Sequence, residues 1–407
     1  MHSPEALDIA DEIAGADPPG RRPRIESIDV VRGLIIVIMA LDHSRDFFGN
    51  FAARPTDLST TTLALFFTRW VTHICAPVFF LLTGTAAWLT LGRMGKSALT
   101  RYLVSRGLWL IFLELVVMRF ALQFNFDYHV TILTVLWGLG WAMIVLAGLI
   151  WLPLWAIAAF GVLLVVGHNA LDSVHAASLG AFRPLWMLLH QLGIVFDNAR
   201  SLVLVSYVLI PWVGVTALGY VLGTSYGWDS EARRRLLSWL GAALIAGFVI
   251  LRLANGYGDP FPWSPQKTPL WTLVSFLNTS KYPPSLLFLL MTLGPALLLL
   301  RAFDSRVPAP LRPVLTFGKV PLFFYVLHFY LIHLLAVAAS WLRYGRVREV
   351  FESPDIAHFP FSAPPGWDLG LPMVYAVWIV VVVSLYPLCR WYAGVRRRRH
   401  DWWLSYL

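Results

Sequence analysis

The sequence predicts an all-α polytopic membrane protein with about ten transmembrane helices. The chain of 407 residues is 58% hydrophobic and only 14% charged, whereas soluble domains average about 45–50% apolar and about 25% charged residues. Its apolar residues form long runs separated by polar loops, and none alternates like a barrel strand. Because backbone groups in lipid must be satisfied within the segment, such runs predict helices.

Ten apolar segments can be distinguished, and a helix needs about 20 residues to cross a bilayer. The fourth and fifth are joined only by a short turn at Leu152-Pro153, which makes this hairpin the weakest part of the count. The segments lie at approximately 28–48, 63–91, 102–122, 130–150, 152–167, 202–223, 236–254, 284–301, 314–342 and 371–389.

Lys and Arg predict the orientation. With the N-terminus inside, the cytoplasmic connections carry more Lys and Arg than the outer ones, as the positive-inside rule requires, although Arg343, Arg346 and Arg348 count against it. Both termini are therefore predicted to be cytoplasmic. The predicted organisation is a flexible leader (1–24), a transmembrane domain (25–390) and a basic, aromatic tail (391–407) in which Trp402 and Trp403 anchor at the interface.

The net charge of +9 would suggest a nucleic-acid partner in a soluble protein. Here the basic residues lie mostly between apolar runs, so they indicate topology and a lipid bilayer rather than nucleic acid. The two cysteines predict no disulfide framework, and the histidines show no metal-ligand spacing.

The first segment carries the strongest candidate for chemistry. His43 lies about 22 Å along the helix from its start, near the outer end, with Asp42 beside it and Asp46 at i+3. A carboxylate can fix the tautomer of the imidazole and raise its basicity, as a general base needs. Near the other end, Asp29 and Arg32 are spaced to pair, and Arg32 could meet an anionic ligand at the cytoplasmic mouth.

Further histidines lie in other segments. His73 is predicted at the outer end of the second segment, level with His43, and Pro77 loosens the helix beside it. His328 and His333 in the ninth segment are five residues apart, which is poor spacing for one face; His328 is the better candidate. For each histidine the alternative is a structural role in the core or at the interface.

Four runs carry a resemblance to a known family. The run SIDVVRG at 27–33, followed by Asp42-His43, resembles the opening of the transmembrane acyltransferase superfamily. The run APVFFLLTG at 76–84 resembles its branch with the heparan-alpha-glucosaminide N-acetyltransferase catalytic domain and related bacterial proteins of unknown function. The runs FLNTSKYPPS at 276–285 and FGKVPLFFYVLH at 317–328 add support.

The resemblance implies a membrane enzyme that takes an acyl group, in this branch acetyl, from cytoplasmic acyl-CoA. It passes the group to a hydroxyl or amine of an extracytoplasmic acceptor, such as a carbohydrate or glycolipid. The heparan enzyme's proposed catalytic histidine falls between the first two runs, but this chain has no histidine from Ser44 to Thr72. In the wider superfamily, the candidate corresponds to His43. The resemblance also implies a homodimer, and the sequence suits a bacterial inner membrane.

Donor-binding candidates follow from this resemblance. Arg101 and Arg106 flank the start of the third segment and could bind the CoA phosphates together with Arg32, because guanidinium matches phosphate well. The alternative is topological anchoring alone. Glu114, farther along the same segment, is expected to pair with an arginine or to be protonated.

Acceptor-binding candidates lie in the outer loop before the eighth segment. Asn278, Lys281, Tyr282 and Trp263 combine aromatic faces with polar groups, which suits a sugar or a lipid headgroup. An interfacial aromatic belt is the alternative.

Two other functions remain open from the sequence. Buried ionisable groups and ten spans permit a secondary transporter, which predicts inverted repeats that the sequence does not display. A non-catalytic membrane partner leaves the His43–Asp46 spacing unexplained. The sequence does not define the acceptor, the acyl length, or whether transfer is direct or passes through an acyl-histidine.

Overall fold

The computed structural model describes residues 25–49, 54–198, 200–399, 401, 404 and 406. The predicted leader at 1–24 and the predicted Trp402-Trp403 anchor lie outside the described residues. In chain order the main elements are α1 (Glu26–Phe48), α2 (Leu63–Thr72), α3 (Cys75–Phe112), α4 (Arg119–Gln123), β1 (Val130–Leu133), α5 (Val135–Leu149), α6 (Leu154–Gly167), α7 (Arg183–Leu189), β2 (Gly193–Asn198), β3 (Ser201–Val205), α8 (Leu209–Gly223), α9 (Ser230–Ala254), α10 (Pro269–Leu277), α11 (Leu286–Phe303), α12 (Arg312–Lys319), α13 (Pro321–Tyr344) and α14 (Gly370–Arg398).

The protein is a mostly helical polytopic membrane protein. Within the described part of the chain, seven helices are long and apolar enough to cross a membrane: Leu63–Gln123, Leu154–Leu171, Leu209–Gly227, Ser230–Ala254, Leu286–Phe303, Pro321–Tyr344 and Gly370–Arg398. Each of the ten predicted segments contains a helix. Helix α5 falls short in length, and α1 carries several charged side chains, so neither is among the seven.

The longest of these helices, Leu63–Gln123, consists of two apolar segments in sequence. Gly95 has φ 74, which is left-handed, and it breaks α3 between the second and third predicted segments. Glycine tolerates this conformation because it has no Cβ. A π-helical turn at Leu113–Met118 then connects α3 to α4.

A small three-stranded sheet lies beside the end of α1 that carries His43, and the sequence analysis did not predict it. Strand β1 pairs in parallel with β3, and β3 pairs antiparallel with β2 through a bulge. The prediction of helix at 130–133 and 202–205 was wrong, because short runs rich in Val, Ile and Leu suit either conformation and are decided by their pairing partners.

Close helix crossings and caps set the geometry around the site. A Cβ on Gly318 in α12 would overlap the carbonyl oxygen of Asp29 in α1, so the small residue permits this approach. Thr62 caps α2 and Ser285 caps α11, each by accepting a backbone N–H of the first turn. Together these contacts fix α1 against α12 and fix where the outer loops enter the bundle.

Candidate active site

A cavity of about 490 Å³ lies at the end of α1 that carries His43. Helix α1 contributes one wall, and the α2–α3 turn, β1, β3, the loop before α11 and α13 contribute the others. We call this space the outer cavity. Its polar and charged lining is Asp42, His43, Arg45, Asp46, Arg54, Arg69, Thr72, Thr134, Ser206, Tyr207, Lys281, Tyr282 and Tyr325.

An ion-pair network runs along the α1 wall of the outer cavity. His43 Nδ1 lies 3.4 Å from Asp46 Oδ2, as the i, i+3 spacing predicts. Arg45 bridges the two carboxylates, at 2.6 Å from Asp46 Oδ1 and 3.0 Å from Asp42 Oδ1. Arg69 from α2 pairs with the other oxygen of Asp42. Asp42 is therefore bound by two arginines, and Asp46 is the carboxylate that contacts the imidazole.

His73 is not part of this cavity lining. It follows the last residue of α2, in a turn that directs its ring to Phe288 of α11 at a centroid distance of 5.3 Å. Its neighbours Thr72 and Cys75 line the cavity instead. Both His73 ring nitrogens are buried without a hydrogen-bond partner in the described structure. His43 and His73 were predicted to lie at the same depth, but only His43 lines the outer cavity.

His328 lies beside His43 although it is far away in sequence. The ring centroids are 5.3 Å apart, and Phe329 packs against His43 at 4.2 Å. His328 is fully buried; its Nδ1 lies 3.2 Å from the Phe324 carbonyl, and its Nε2 has no partner among the described residues. His333 is farther along α13, where each ring nitrogen lies against a backbone carbonyl.

The four acceptor-binding candidates divide into two pairs. Lys281 and Tyr282 line the outer cavity. Burial alone would raise the pKa of the Tyr282 phenol, but the charges of Lys281 and Arg69 hold this pKa below its ordinary value. Asn278 and Trp263 instead attach this loop to neighbouring elements. Asn278 donates to the Thr56 carbonyl between α1 and α2, and the Trp263 indole donates to the Arg252 carbonyl in α9.

Arg252 organises the loop that presents Lys281, and the sequence analysis missed it. The guanidinium is buried and donates to the carbonyls of Phe261, Ser275, Phe276 and Asn278 at 2.7–3.1 Å. The sequence signal that could have identified Arg252 is an isolated arginine in the last turn of an apolar helix, because a buried guanidinium group needs hydrogen-bond acceptors.

Asp259 binds the same loop from the other side. It accepts the Ser280 N–H at 2.8 Å and the Ser285 hydroxyl at 2.6 Å. Burial raises the pKa of this carboxyl, and the hydrogen bonds oppose the rise. Together with Arg252, Asp259 holds the backbone segment that contains Lys281 and Tyr282.

A second cavity of about 270 Å³ lies toward the other end of α1. Its cationic lining is Arg32, Arg106, Lys319 and Arg396. We call it the inner cavity. Arg32 and His43 are eleven residues apart on α1, which is about 16 Å along the axis.

The donor-binding candidates are placed differently around the inner cavity. Arg32 pairs with Asp29 at 3.2 Å, as their spacing predicts, and lies 3.3 Å from the Gly318 carbonyl. Arg106 also lines the cavity. Arg101 is exposed and is not part of the lining.

The two cavities share the walls formed by Phe79, Val135 and Tyr325. We call these three residues the partition. Glu114 supports it: the carboxylate accepts the Thr134 N–H at 3.0 Å, the Thr134 hydroxyl at 2.5 Å and the Leu136 N–H at 3.2 Å. The Thr134 hydroxyl also contacts Tyr325. Glu114 thus satisfies the first backbone donors of α5. These donors stand where an arginine was one of the two alternatives, and the other, a protonated carboxyl, stays a prediction.

In the described ranges, no group of three or more His, Cys, Asp or Glu side chains could hold a metal ion.

The comparison with known families decides the identity. The family described as heparan-alpha-glucosaminide N-acetyltransferase, catalytic, matches residues 24–251, which is more than half of the chain. The chain belongs to this family. The resemblance in the sequence analysis is confirmed, and the family points to a membrane acetyltransferase. No curated protein matches the chain significantly.

The match to the heparan-alpha-glucosaminide N-acetyltransferase catalytic family covers only part of the two cavities. It includes His43, Asp46, Arg69 and Arg106, together with the Phe79 side of the partition. Lys281, Tyr325 and all of helices α10 to α14 lie beyond the matched residues, so the family match does not bear on their arrangement.

Proposed function

We propose that this protein transfers an acetyl group from cytoplasmic acetyl-CoA to a hydroxyl or amine of an extracytoplasmic acceptor, a carbohydrate or glycolipid. The single observation that carries the proposal is that a basic cavity and a histidine-bearing cavity meet at the partition. A donor and an acceptor that approach from opposite faces need such an arrangement, because their reacting atoms must come into contact inside the bundle.

The inner cavity is the proposed donor site. Arg32, Arg106, Lys319 and Arg396 supply cations for the phosphates of CoA. The apolar side chains Leu82, Leu139 and Met143 line the same space and suit the pantetheine arm. The thioester then lies at the partition, with its carbonyl carbon toward the outer cavity.

His43 is the proposed catalytic residue. Because Asp46 engages Nδ1, Nε2 is left to take the proton of the acceptor hydroxyl or amine. A bond forms between the acceptor oxygen or nitrogen and the acetyl carbonyl carbon, the carbon–sulfur bond breaks, and the CoA thiolate takes up a proton. In a two-step route the imidazole first carries the acetyl group. His328 and Phe329 pack against the His43 ring and position it.

The proposal includes a topology. We place ten spans in the membrane, with both termini cytoplasmic and the inner cavity facing the cytoplasm. Two observations support this placement: every predicted segment contains a helix, and the cationic lining lies on the side that the positive-inside rule assigns to the cytoplasm. The single transmembrane domain at 25–390, the bacterial inner membrane and the homodimer stay predictions.

Acetyl-CoA binding tests the donor side. Arg106→Ala should raise the dissociation constant of acetyl-CoA at least tenfold, as expected for the loss of a charge-assisted contact. Arg101→Ala is the matched control on the same helix arm and should change it less than twofold, because Arg101 is outside the cavity. Calorimetry on the detergent-purified protein measures both. Equal losses in the two variants, or no binding of any acyl-CoA by folded protein, would contradict the proposal; the second result would favour a transporter.

A further inference from the structure

Lys281 is a buried cation in the outer cavity that forms no direct ion pair with a described carboxylate. It is only 9% exposed, it lines the cavity, and its Nζ lies 5.2 Å from the ring centre of Tyr282. Among the described residues, no carboxylate forms an ion pair with it and no acceptor forms a hydrogen bond with its ammonium group. The Asp42 carboxylate acts on Lys281 only at longer range and is already paired with two arginines. A buried ammonium without a direct ion pair is unfavourable, so this geometry calls for an anion supplied from outside.

The carboxylates of the cavity are already engaged. Asp42 is bound by Arg45 and Arg69, and Asp46 by Arg45 and His43. The described lining contains four cations and two carboxylates: Arg45, Arg54, Arg69 and Lys281 against Asp42 and Asp46. The outer cavity therefore carries an excess of positive charge.

The backbone that carries Lys281 is held by the surrounding loop. Lys281 forms an isolated bridge with Pro284, and the adjacent Ser280 N–H is bound by Asp259. The next residue, Tyr282, contacts both Arg69 and Tyr207 through its hydroxyl. A backbone held on both sides presents a preorganised charge, which is a property of binding sites rather than of solvent-facing lysines.

We propose that Lys281 binds an oxyanion, a carboxylate or a phosphate, carried by the acceptor sugar. This inference rests on the proposed function, which places the acceptor in the outer cavity. It narrows the acceptor from any carbohydrate or glycolipid to an anionic one, because a neutral sugar would leave the ammonium uncompensated.

Three matched sugars test the inference without any acyl donor. The probes are methyl glucoside, methyl glucuronoside and glucose 1-phosphate, which are neutral, a carboxylate and a phosphate. Their dissociation constants for the full-length protein in detergent are measured by calorimetry. We expect at least one anionic probe to bind tenfold or more tightly than methyl glucoside, as a charge-assisted hydrogen bond provides. The anionic probe with the lower dissociation constant shows whether the acceptor's oxyanion is a carboxylate or a phosphate.

Substitutions assign the preference to Lys281. In Lys281→Gln, the ratio of the neutral to the anionic dissociation constant should fall below three, whereas Lys281→Arg should keep it above three. Lys267→Gln is the matched control, since Lys267 lies exposed in the same outer loop and is not part of the cavity lining. Thermal melts of each variant establish that it is folded.

Several results would overturn the inference: equal binding of the neutral and anionic probes by the wild type, an unchanged ratio in Lys281→Gln, or no binding of any probe by folded protein. Because the measurement needs no acetyl-CoA, its outcome is separate from that of the proposed function. A Lys281-dependent anion preference in a protein that never transfers acetyl groups would overturn the proposed function alone.

Discussion

Arginine and lysine line both cavities, but the two sets of side chains are arranged differently. In the described inner cavity no carboxylate is part of the lining, so four cations face a common space. In the outer cavity two carboxylates cross-link the arginines into a fixed network, and the imidazole is attached to one end of it. The first arrangement suits binding of a flexible polyanion, and the second suits orientation of a reacting group. The comparison teaches that the position of the carboxylates, which line the outer cavity but not the inner one, separates the proposed donor side from the proposed reaction side.

The largest expected effect is the loss of chemistry in the outer cavity without loss of donor binding in the inner one. His43→Ala should lower kcat by about 10²–10⁴-fold, the usual contribution of a general base, and leave the dissociation constant of acetyl-CoA unchanged. Steady-state acetyl transfer and calorimetry measure the two quantities. The control is His175→Ala, which removes an exposed outer-loop histidine. Retained transfer in His43→Ala would show that the two cavities do not differ in this way.

The next effect separates the two carboxylates of the outer network. Asp42→Asn should destabilise the protein by about 3–5 kcal/mol, because it leaves a buried arginine without its partner. Asp46 is 39% exposed, so Asp46→Asn should change stability by less than about 1 kcal/mol. It should instead lower kcat by about 10- to 100-fold through loss of the contact with His43.

Denaturation in detergent and transfer assays measure this pair of variants. The outcome that would contradict the assignment is the reverse pattern, with Asp46→Asn unfolding the protein and Asp42→Asn affecting only kcat.

The smallest effect concerns the boundary between the cavities. Phe79→Ala removes an aromatic ring from the partition and so enlarges the space for the acyl chain. It should reduce the preference for acetyl-CoA over butyryl-CoA by about tenfold, because a tight apolar site discriminates each methylene group by about tenfold or more. Thr83→Ala is the control, because Thr83 lines only the inner cavity, one turn away on the same helix. Ratios of kcat/KM for the two donors measure the effect. An equal shift in both variants would place chain-length selection outside the partition.

Features governed by neighbours in sequence were predictable. The contacts of His43 with Asp46 and of Arg32 with Asp29 follow from i, i+3 spacing on one helix. The helical segments follow equally from apolar runs of sufficient length. These inferences need no knowledge of how the helices pack.

Features governed by packing were not predictable. The turn after α2 directs His73 toward α11, while the approach of α13 to α1 brings His328 beside His43. Glu114 finds backbone donors at the start of α5, some twenty residues away, where the sequence had suggested an arginine partner or a protonated carboxyl. The placement of Lys281 depends on Arg252, whose carbonyl partners lie at the end of α10 and in the adjoining loops. No periodic pattern encodes such contacts.

The partition also bears on the electrical state of the membrane. A transmembrane potential acts on any charge that moves through the apolar layer. In the proposed reaction the phosphates stay with the cations on one side of Phe79, Val135 and Tyr325, and the ion-pair network stays on the other. The acetyl group passes outward, and the acceptor proton that His43 takes up must reach the CoA thiolate on the other side. Turnover is electroneutral when that proton crosses the partition, and it moves one charge per cycle when the proton is released on the outer side and the thiolate is protonated from the cytoplasm.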